Sequence, residues 1–338
     1  MKMKLSIVIL NYNNYVYSIE CVRSILNSGI DMPFEIILVD NDSDGHDYET
    51  LKRVFRNNRK IKIYKTWKNL GYSGGMNFGY SKSKGRYVIL ANNDIIVRKG
   101  WSNELIKHIE KDNKIAVVGS NVLSPKDDQK KYKNDSVNFL GYIILENVLD
   151  GNKIFAAGGC SLIIRRDLFT KPFDDDYFAY AEDLYLSWLA RIRGYEVEFS
   201  PKSRVIHLGS KTSEKMGFMR FYYEQRNRLI NILIFYDMQT ILAILPMLSV
   251  LYIARNLYHL IKNDGMVKPR FEGYKWIIKN FGFINKKRKD IQKIRKVSDR
   301  EIMKYMTCKV TNGDGKIINK ISYVYCKIFG IKTHEICG

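Results

Sequence analysis

The run Tyr87-Val88-Ile89-Leu90-Ala91 passes without a break into Asn92-Asn93-Asp94-Ile95, and this junction constrains the fold more than any other part of the chain. An apolar run too short for a helix predicts a strand buried on both faces, as in a parallel sheet. Such a strand delivers its last polar residues to the carboxyl edge of the sheet, where open α/β folds keep their ligands. Two other runs end in the same way. Leu5-Ser6-Ile7-Val8-Ile9-Leu10 leads into Asn11-Tyr12-Asn13, and Glu35-Ile36-Ile37-Leu38-Val39 leads into Asp40-Asn41-Asp42. Three strand ends therefore converge on one polar crevice.

Between the strands the apolar period changes. Val16, Ile19, Val22, Ile25 and Leu26 recur at helical spacing, and Gly29 and Pro33 end that helix before the second strand. Further strands are read at 60–64, 86–91, 115–119 and 196–200, with order also at 155–165 and a helix from about 181 to 193 closed by Gly194. This alternation predicts an α/β chain with a Rossmann-like, mainly parallel sheet. Residues 120–151, polar and broken by Pro125, read as a surface excursion covering the site.

With 46% hydrophobic residues in 338, the chain can bury a sizeable core and is not a disordered protein. Cys21, Cys160, Cys308, Cys326 and Cys337 are odd in number and include no CxxC pair, which argues against a disulfide framework or zinc knuckle and for a reducing compartment. The basic start and short apolar run at 1–10 read as a first strand, not a signal peptide.

The net charge is +21, and residues 255–304 alone hold 15 Lys or Arg against 5 Asp or Glu, a net of +10. Anionic lipid headgroups attract such a stretch as readily as phosphodiesters do. No RNP-type aromatic motif or basic recognition helix supports nucleic acid. Just upstream, 229–254 is strongly apolar but interrupted by Asn231, Asp237, Gln239 and Pro246, long enough to span a bilayer yet too polar for a lipid-facing span. Two readings stay open: amphipathic helices packed on the rest of the protein, or a monotopic surface helix backed by Lys286-Lys287-Arg288-Lys289.

Five motifs carry chemistry. The segment Asn69-Leu70-Gly71-Tyr72-Ser73-Gly74-Gly75-Met76-Asn77-Phe78-Gly79 sits between a strand and a helix, where glycines let a backbone approach a phosphate or ribose, although the spacing fits neither a dinucleotide fingerprint nor a P-loop. Asp94, a hard carboxylate at a sheet edge, suits Mg2+ or Mn2+. Asp40 can accept from a base or ribose, or close an Asx turn with Asn41 and Asp42. Glu182-Asp183 either stabilises the start of a helix or supplies a general base in an aromatic cleft, and His207, at the end of a short apolar strand, is either structural or a metal ligand.

In this order and spacing, SIVILNYNN, EIILVDNDS, NLGYSGGMNFG, YVILANND, GGCSLIIRRDLF, FAYAEDLYLSWLARIRGY and SRVIHLGS resemble the family 2 inverting glycosyltransferases, within them the rhamnosyltransferase-like branch. The resemblance covers residues 4 to 230. It implies a GT-A fold, with Asn11, Tyr12, Asn13 and Asp40 around the nucleotide and further donor contacts from Asn69, Gly75, Asn77, Asn92 and Asn93. Asn92-Asn93-Asp94 stands where the family has its DxD motif, so the resemblance makes Asp94 the contact to a divalent metal, Mg2+ or Mn2+, and to the diphosphate. It makes His207 a further metal or diphosphate contact, and Asp183, beside Glu182, the catalytic base. Asn92 departs from the motif's first Asp. Tyr185 and Leu189 stand where many relatives carry Asp and Arg, which bears on acceptor choice. The Arg226-Asn227 pair resembles a feature of membrane-associated members.

The organisation implied is a catalytic domain at 1–228, an apolar membrane-associating segment at 229–262 and a basic extension at 263–338. The activity implied is transfer of a sugar from a UDP- or dTDP-sugar to a hydroxyl of a glycan or lipid-linked glycan in cell-surface polysaccharide or glycoconjugate synthesis, on the cytoplasmic face of a membrane. The competing class is a non-catalytic basic module with a nucleotide-sugar fold, attached to anionic lipid or RNA.

Overall fold

The computed structural model describes residues 3–125, 134–146, 153–209, 211–312 and 315–337. They divide into two compact units that interleave along the chain. The first comprises Met1–Tyr132, Ala157–Leu186 and Glu196–Lys211; the second comprises Lys133–Ala156, Ser187–Tyr195 and Thr212–Gly338.

The first unit begins as alternating strands and helices: β1 (Leu5–Asn11), α1 (Tyr15–Leu26), β2 (Phe34–Asp40), α2 (Asp47–Phe55), β3 (Ile61–Lys65), α3 (Gly71–Lys82) and β4 (Tyr87–Asn92). A short β5 (Ile95–Val97), α4 (Trp101–Ile109) and β6 (Ile115–Leu123) follow. The hairpin β7 (Asn134–Val137) and β8 (Ile143–Glu146) belongs to the second unit, and the chain returns to the first through β9 (Ser161–Arg165), the start of α5 (Glu182–Ile192) and β10 (Glu196–His207). One eight-stranded sheet results, ordered β3-β2-β1-β4-β9-β6-β10-β5. β1 to β4 pair in parallel, β9 runs antiparallel between β4 and β6, and β5 closes the edge antiparallel to β10. The two strands expected at 196–200 and at His207 are one, with register shifts along its pairing to β6. Of the expected surface excursion, residues 126–133 and 147–152 lie outside the described residues, while β6 extends to Leu123.

Strand alternation sorts side chains to two faces. Leu5, Ile7 and Ile9 of β1 join Ile36 and Leu38 of β2, with Val22 and Ile25 of α1, in one apolar layer. Val8, Leu10, Ile37 and Val39 face the other way, toward α3, where glycines replace large side chains. A Cβ on Gly79 would lie 2.5 Å from Val8 and 3.0 Å from Val39, and one on Gly75 would lie 2.5 Å from Leu10. The glycines at these two positions serve close helix-to-sheet packing.

In the second unit, α6 (Lys211–Phe235), α7 (Met238–Lys262), α8 (Val267–Lys279), α9 (Phe281–Lys293), α10 (Asp299–Met303), α11 (Lys316–Ile328) and α12 (His334–Cys337) follow in order. The 229–254 stretch is divided: it spans the buried end of α6 and most of α7, with Asp237 capping α7 through an acceptance from Thr240 N–H at 2.7 Å. Trp188 stacks on Phe235 at 5.3 Å and meets Phe155 and Tyr236 edge-on. The carbonyls at the end of α6 take donors from α9: Arg288 reaches Leu233 O at 2.6 Å, and Gln292 reaches Ile234 O at 2.8 Å. These are the acceptors a helix end leaves open. Arg288, part of the basic run, is thus turned inward, whereas Lys286 and Lys289 stay exposed. Cys21, Cys160, Cys308 and Cys326 are free thiols.

Gly79→Ala should lower the stability of the first unit by about 1–3 kcal/mol, the usual effect of overpacking. A denaturation midpoint equal to that of the parent protein would show that Val8 and Val39 do not set the residue at this position.

Candidate active site

β4 ends at Asn92, and a turn through Asn93 and Asp94 reverses the chain into β5. Ile95 lies opposite His207 in the β5–β10 pairing, and Leu208 N–H donates to Asp94 O at 2.9 Å. This pairing brings His207 Nε2 to 3.2 Å from Asp94 Oδ2. Asp94 is 6% exposed, and its Oδ1 is buried with no hydrogen-bond partner. An unmatched buried acceptor costs on the order of 1–3 kcal/mol, so its retention calls for a donor or a cation. The hydrogen bond from His207 to Asp94 raises the imidazole above its usual range, with burial opposing and the Asp94 charge adding to it. Among the described residues no three His, Cys, Asp or Glu side chains cluster as a complete metal cage. Asp94 and His207 do fit a divalent ion that takes its remaining oxygens from a substrate phosphate.

The acidic pair is built by a strained turn. Phe178, Tyr180 and Ala181 have φ of 61°, 69° and 61°, left-handed values unusual for residues with a Cβ and frequent at functional sites. Ser73 N–H donates to Phe178 O at 3.1 Å, and Gly71, at φ +70°, lies so close that a Cβ there would be 2.5 Å from that carbonyl. Glu182 and Asp183 then open α5. Gly159 N–H donates to Asp183 Oδ2 at 2.9 Å and Leu184 N–H to Oδ1 at 2.7 Å, while Glu182 Oε2 is buried with no partner. Burial pushes the Asp183 carboxyl up, and those N–H groups oppose it. Burial, then the Asp183 charge, pushes Glu182 up. Burial thus raises both carboxyls, Glu182 to about 8, while the N–H groups of Gly159 and Leu184 favour the charged form at Asp183.

Tyr72 joins the two clusters. Its O–H lies 2.9 Å from Asn92 Oδ1 and 3.2 Å from Gly159 O. Burial first, then the charges of Glu182, Cys160, Asp183 and Asp94, push its phenol well above the usual value, so it remains a donor. Neither Tyr72 nor Gly159 was singled out from the sequence, although both lie inside motifs that were. The signal for Gly159 was the Gly158-Gly159 pair before a strand, and its reason is contact: a Cβ would sit 3.3 Å from Asp183.

The expected nucleotide-side residues form one buried network. Asn11 Nδ2 donates to Asp40 Oδ2 at 2.8 Å and lies 3.0 Å from Asp47 Oδ2, and Ser18 O–H donates to Asn11 Oδ1 at 2.7 Å. Asn93 Nδ2 donates to the same Ser18 oxygen at 2.9 Å, tying the Asp94 turn to the end of β1. Asp40 is fully buried and accepts from Ser43 N–H at 3.1 Å, the turn geometry that had been one of its two readings. Asn13, at φ 52°, donates from its backbone to Ser43 Oγ at 2.9 Å and is exposed, as a surface for a ligand requires; Tyr12 beside it is half-buried. Asn41, read only as a turn residue, donates to Asn69 Oδ1 at 3.0 Å and accepts from Leu70 N–H at 3.1 Å. Asn77 is committed within the protein, donating to Phe173 O at 2.8 Å and accepting from Phe173 N–H at 3.1 Å. Its amide fastens the 173–175 loop.

Comparison with known proteins matches residues 6–170 to the family described as Glycosyl transferase family 2. An uncharacterized glycosyltransferase of Haemophilus influenzae is 27% identical over 115 residues, 34% of this chain and 35% of the relative. Glycosyltransferase GlyG of Streptococcus pneumoniae is 27% identical over 116 residues, 34% of this chain and 38% of the relative. The matches thus span little more than a third of these proteins. Among solved structures, GalNAc-T7 with UDP, GalNAc and Mn2+ superposes with a TM-score of 0.60 at 16% identity, over 83% of this chain and 57% of that one. S. aureus TarS 1-349 in complex with UDP-GlcNAc gives 0.57 at 15% identity, over 97% and 89%. The mannosyltransferase PcManGT from Pyrobaculum calidifontis, in complex with GDP-Man and Mn2+, gives 0.56 at 13%, over 82% and 76%. At these identities the likeness is one of fold, and the fold is the GT-A type that the motifs implied.

Because Glu182 binds its proton more tightly folded than unfolded, its share of stability is full below the ordinary glutamate range and is lost as pH rises through the raised value. Glu182→Gln removes that dependence. Thermal melts across pH should show a flatter profile and greater stability at the alkaline end, and a parent-like slope would refute the assignment of the buried proton to Glu182.

Proposed function

We propose that the chain is a family 2 glycosyltransferase, a reading supported by the match of residues 6–170 to that family, and that it transfers a sugar from a nucleoside diphosphate donor to an acceptor hydroxyl with inversion at the anomeric carbon. The observation that carries this is one continuous set of contacts. Asp94 with its open Oδ1 sits just past the end of β4, and Tyr72 and Gly159 link that end to Asp183. Asp183 takes the proton of the acceptor hydroxyl as its oxygen attacks the anomeric carbon from the face opposite the diphosphate. Electrons of the breaking glycosidic bond go to the leaving diphosphate. Tyr72 and Gly159 keep the base in place, and Glu182, holding its proton, adds no competing negative charge.

A divalent ion, Mg2+ or Mn2+, would be held by Asp94 and His207 and would supply neutralisation of the diphosphate charge. The Mn2+ complexes of two fold relatives support that reading. One carboxylate base suffices because a nucleoside diphosphate is a good leaving group, in contrast to the two carboxyls a glycosidase needs. A UDP- or dTDP-sugar is the proposed donor and a glycan or lipid-linked glycan of the cell surface the proposed acceptor. The exposed Tyr12–Asn13 edge and Asn92-Asn93 are proposed to contact the donor.

Asp183→Asn should retain donor binding and cut kcat on the order of 100-fold or more, with Glu182→Gln milder. Asp94→Ala should remove turnover and divalent-ion dependence together. Donor hydrolysis and transfer assays with and without chelator read both. Reversed effects at positions 182 and 183, or metal-independent activity in Asp94→Ala, would sink the mechanism.

We further propose that the protein works at the cytoplasmic surface of a membrane. α7 is the one helix among the described residues long and apolar enough to cross a bilayer, yet only 17% of its apolar window is buried. Leu242, Val250, Ile253, Leu257 and Ile261 on it are exposed, as are Phe271, Ile278 and Phe281 on α8 and α9. An exposed apolar helix beside a net +10 stretch supports two weak attachment signals acting jointly. The full chain should pellet with anionic vesicles at low salt and be partly released by raised ionic strength. Indifference to anionic vesicles at low salt would return these helices to a purely structural role.

A further inference from the structure

Three arginines of the second unit gather on one tyrosine. The guanidinium carbons of Arg228, at the centre of α6, and Arg255, on α7, lie 3.9 Å and 3.8 Å from the ring centroid of Tyr142. Arg270, on α8, belongs to the same cluster, since it and Tyr142 act on each other's titration. Arg228 is 4% exposed, and its Nε is buried without a hydrogen-bond partner; the Nε of Arg270 is likewise buried and unmatched. Arg228 donates to Leu140 O at 2.7 Å and to Gln225 Oε1 at 3.3 Å and Arg255 to Val310 O at 3.2 Å, all neutral acceptors, and Arg228 and Arg255 also bond the hydroxyls of Tyr274 and Tyr142, respectively.

Among the described residues no carboxylate pairs with Arg228, Arg255 or Arg270. The same unit does pair a half-buried arginine elsewhere, with Arg295 Nη1 2.8 Å from Asp299 Oδ1. Desolvated charges without counter-charge are costly, and three together repel one another. The potential they create is visible on their neighbours. Burial alone would raise the Tyr142 phenol, but Arg228, Arg255 and Arg270 overcome it and hold the group below its usual value. Burial, with Arg255 and Arg228 adding to it, presses Arg270 down.

We propose that the Arg228–Arg255–Arg270 cluster of the second unit is a binding site for a phosphoryl group. A single carboxylate would answer only one of the three cations. A phosphomonoester or diphosphate carries more charge and presents several oxygens, and guanidinium groups match phosphate oxygens bidentately. The phosphoryl group can be borne by a lipid or be free in solution. This site uses no residue of the transfer mechanism, and its test reads binding alone.

The experiment uses the full chain in chelator, so that a metal-dependent diphosphate site does not contribute. Two probes are used: phosphatidylcholine vesicles doped with phosphatidic acid, compared with vesicles brought to equal charge with oleate, and inorganic phosphate followed by thermal shift. The parent protein should prefer phosphatidic acid to oleate. Arg255→Gln and Arg270→Gln should each weaken that binding by about tenfold, the usual scale for a charge-assisted contact. Lys320→Gln, an equal charge change at an exposed position of α11, should leave it unchanged. Arg270→Lys should retain part of it and keeps the test readable if a Gln variant fails to fold. Stabilisation by inorganic phosphate that depends on the same arginines would assign the site to the phosphoryl group alone, and binding only to the vesicles would assign it to a lipid-borne one. Gln variants that match the parent with both probes, or that lose no more than Lys320→Gln, would overturn the site.

Discussion

The pairing of β9 with β4 is the contact on which the first unit's chemistry depends. Asn92 N–H donates to Cys160 O at 2.9 Å, one step beyond the antiparallel ladder that sets Ala91 opposite Ser161. That bond lays the Asp94 turn beside Gly159, and Gly159 N–H in turn reaches Asp183. Asp94 and Asp183, about ninety residues apart in sequence, are thereby tied together through backbone groups, which hold position better than side chains do. An antiparallel strand inserted in an otherwise parallel run is what makes this possible, because it brings a second chain end to the edge where β1, β2 and β4 already finish.

The two carboxyls of the acidic pair show how environment divides labour between like groups. Glu182 is buried and Asp183 partly so; N–H donors from Gly159 and Leu184 favour the charged form at Asp183, whereas Glu182 Oε2 has no partner. Proximity then does the rest, since two close anions in a poorly solvated place do not both persist. The strained φ values at Phe178, Tyr180 and Ala181 aim the pair, and Gly71 makes room for the strain.

The second unit handles charge differently. Part of its large positive excess is structural, as where Arg288 and Gln292 close the carbonyl end of α6. Part is left without counter-charge around Tyr142. The distinction follows from partners and not from composition, for the same residue type caps a helix at one position and leaves a buried Nε unmatched at another.

The alternating apolar runs and polar ends were enough to determine the α/β class, the parallel half of the sheet and the positions of Asp94, His207 and the Glu182–Asp183 pair, because strand period and strand-end chemistry are local properties of the chain. Sequence did not show which carboxyl receives N–H donors that favour its charged form, since those come from residues 159 and 184. It also could not show that Gly75 and Gly79 serve packing against Leu10 and Val8, that Asn77 is bound to the 173–175 loop, or that Tyr72 bridges two clusters. Residues 133–156 and 187–195 join the C-terminal helices in one unit, and three arginines from three helices share one tyrosine. Those facts belong to the tertiary structure because each depends on segments distant in sequence meeting at contact range, where no periodicity or motif records the partner.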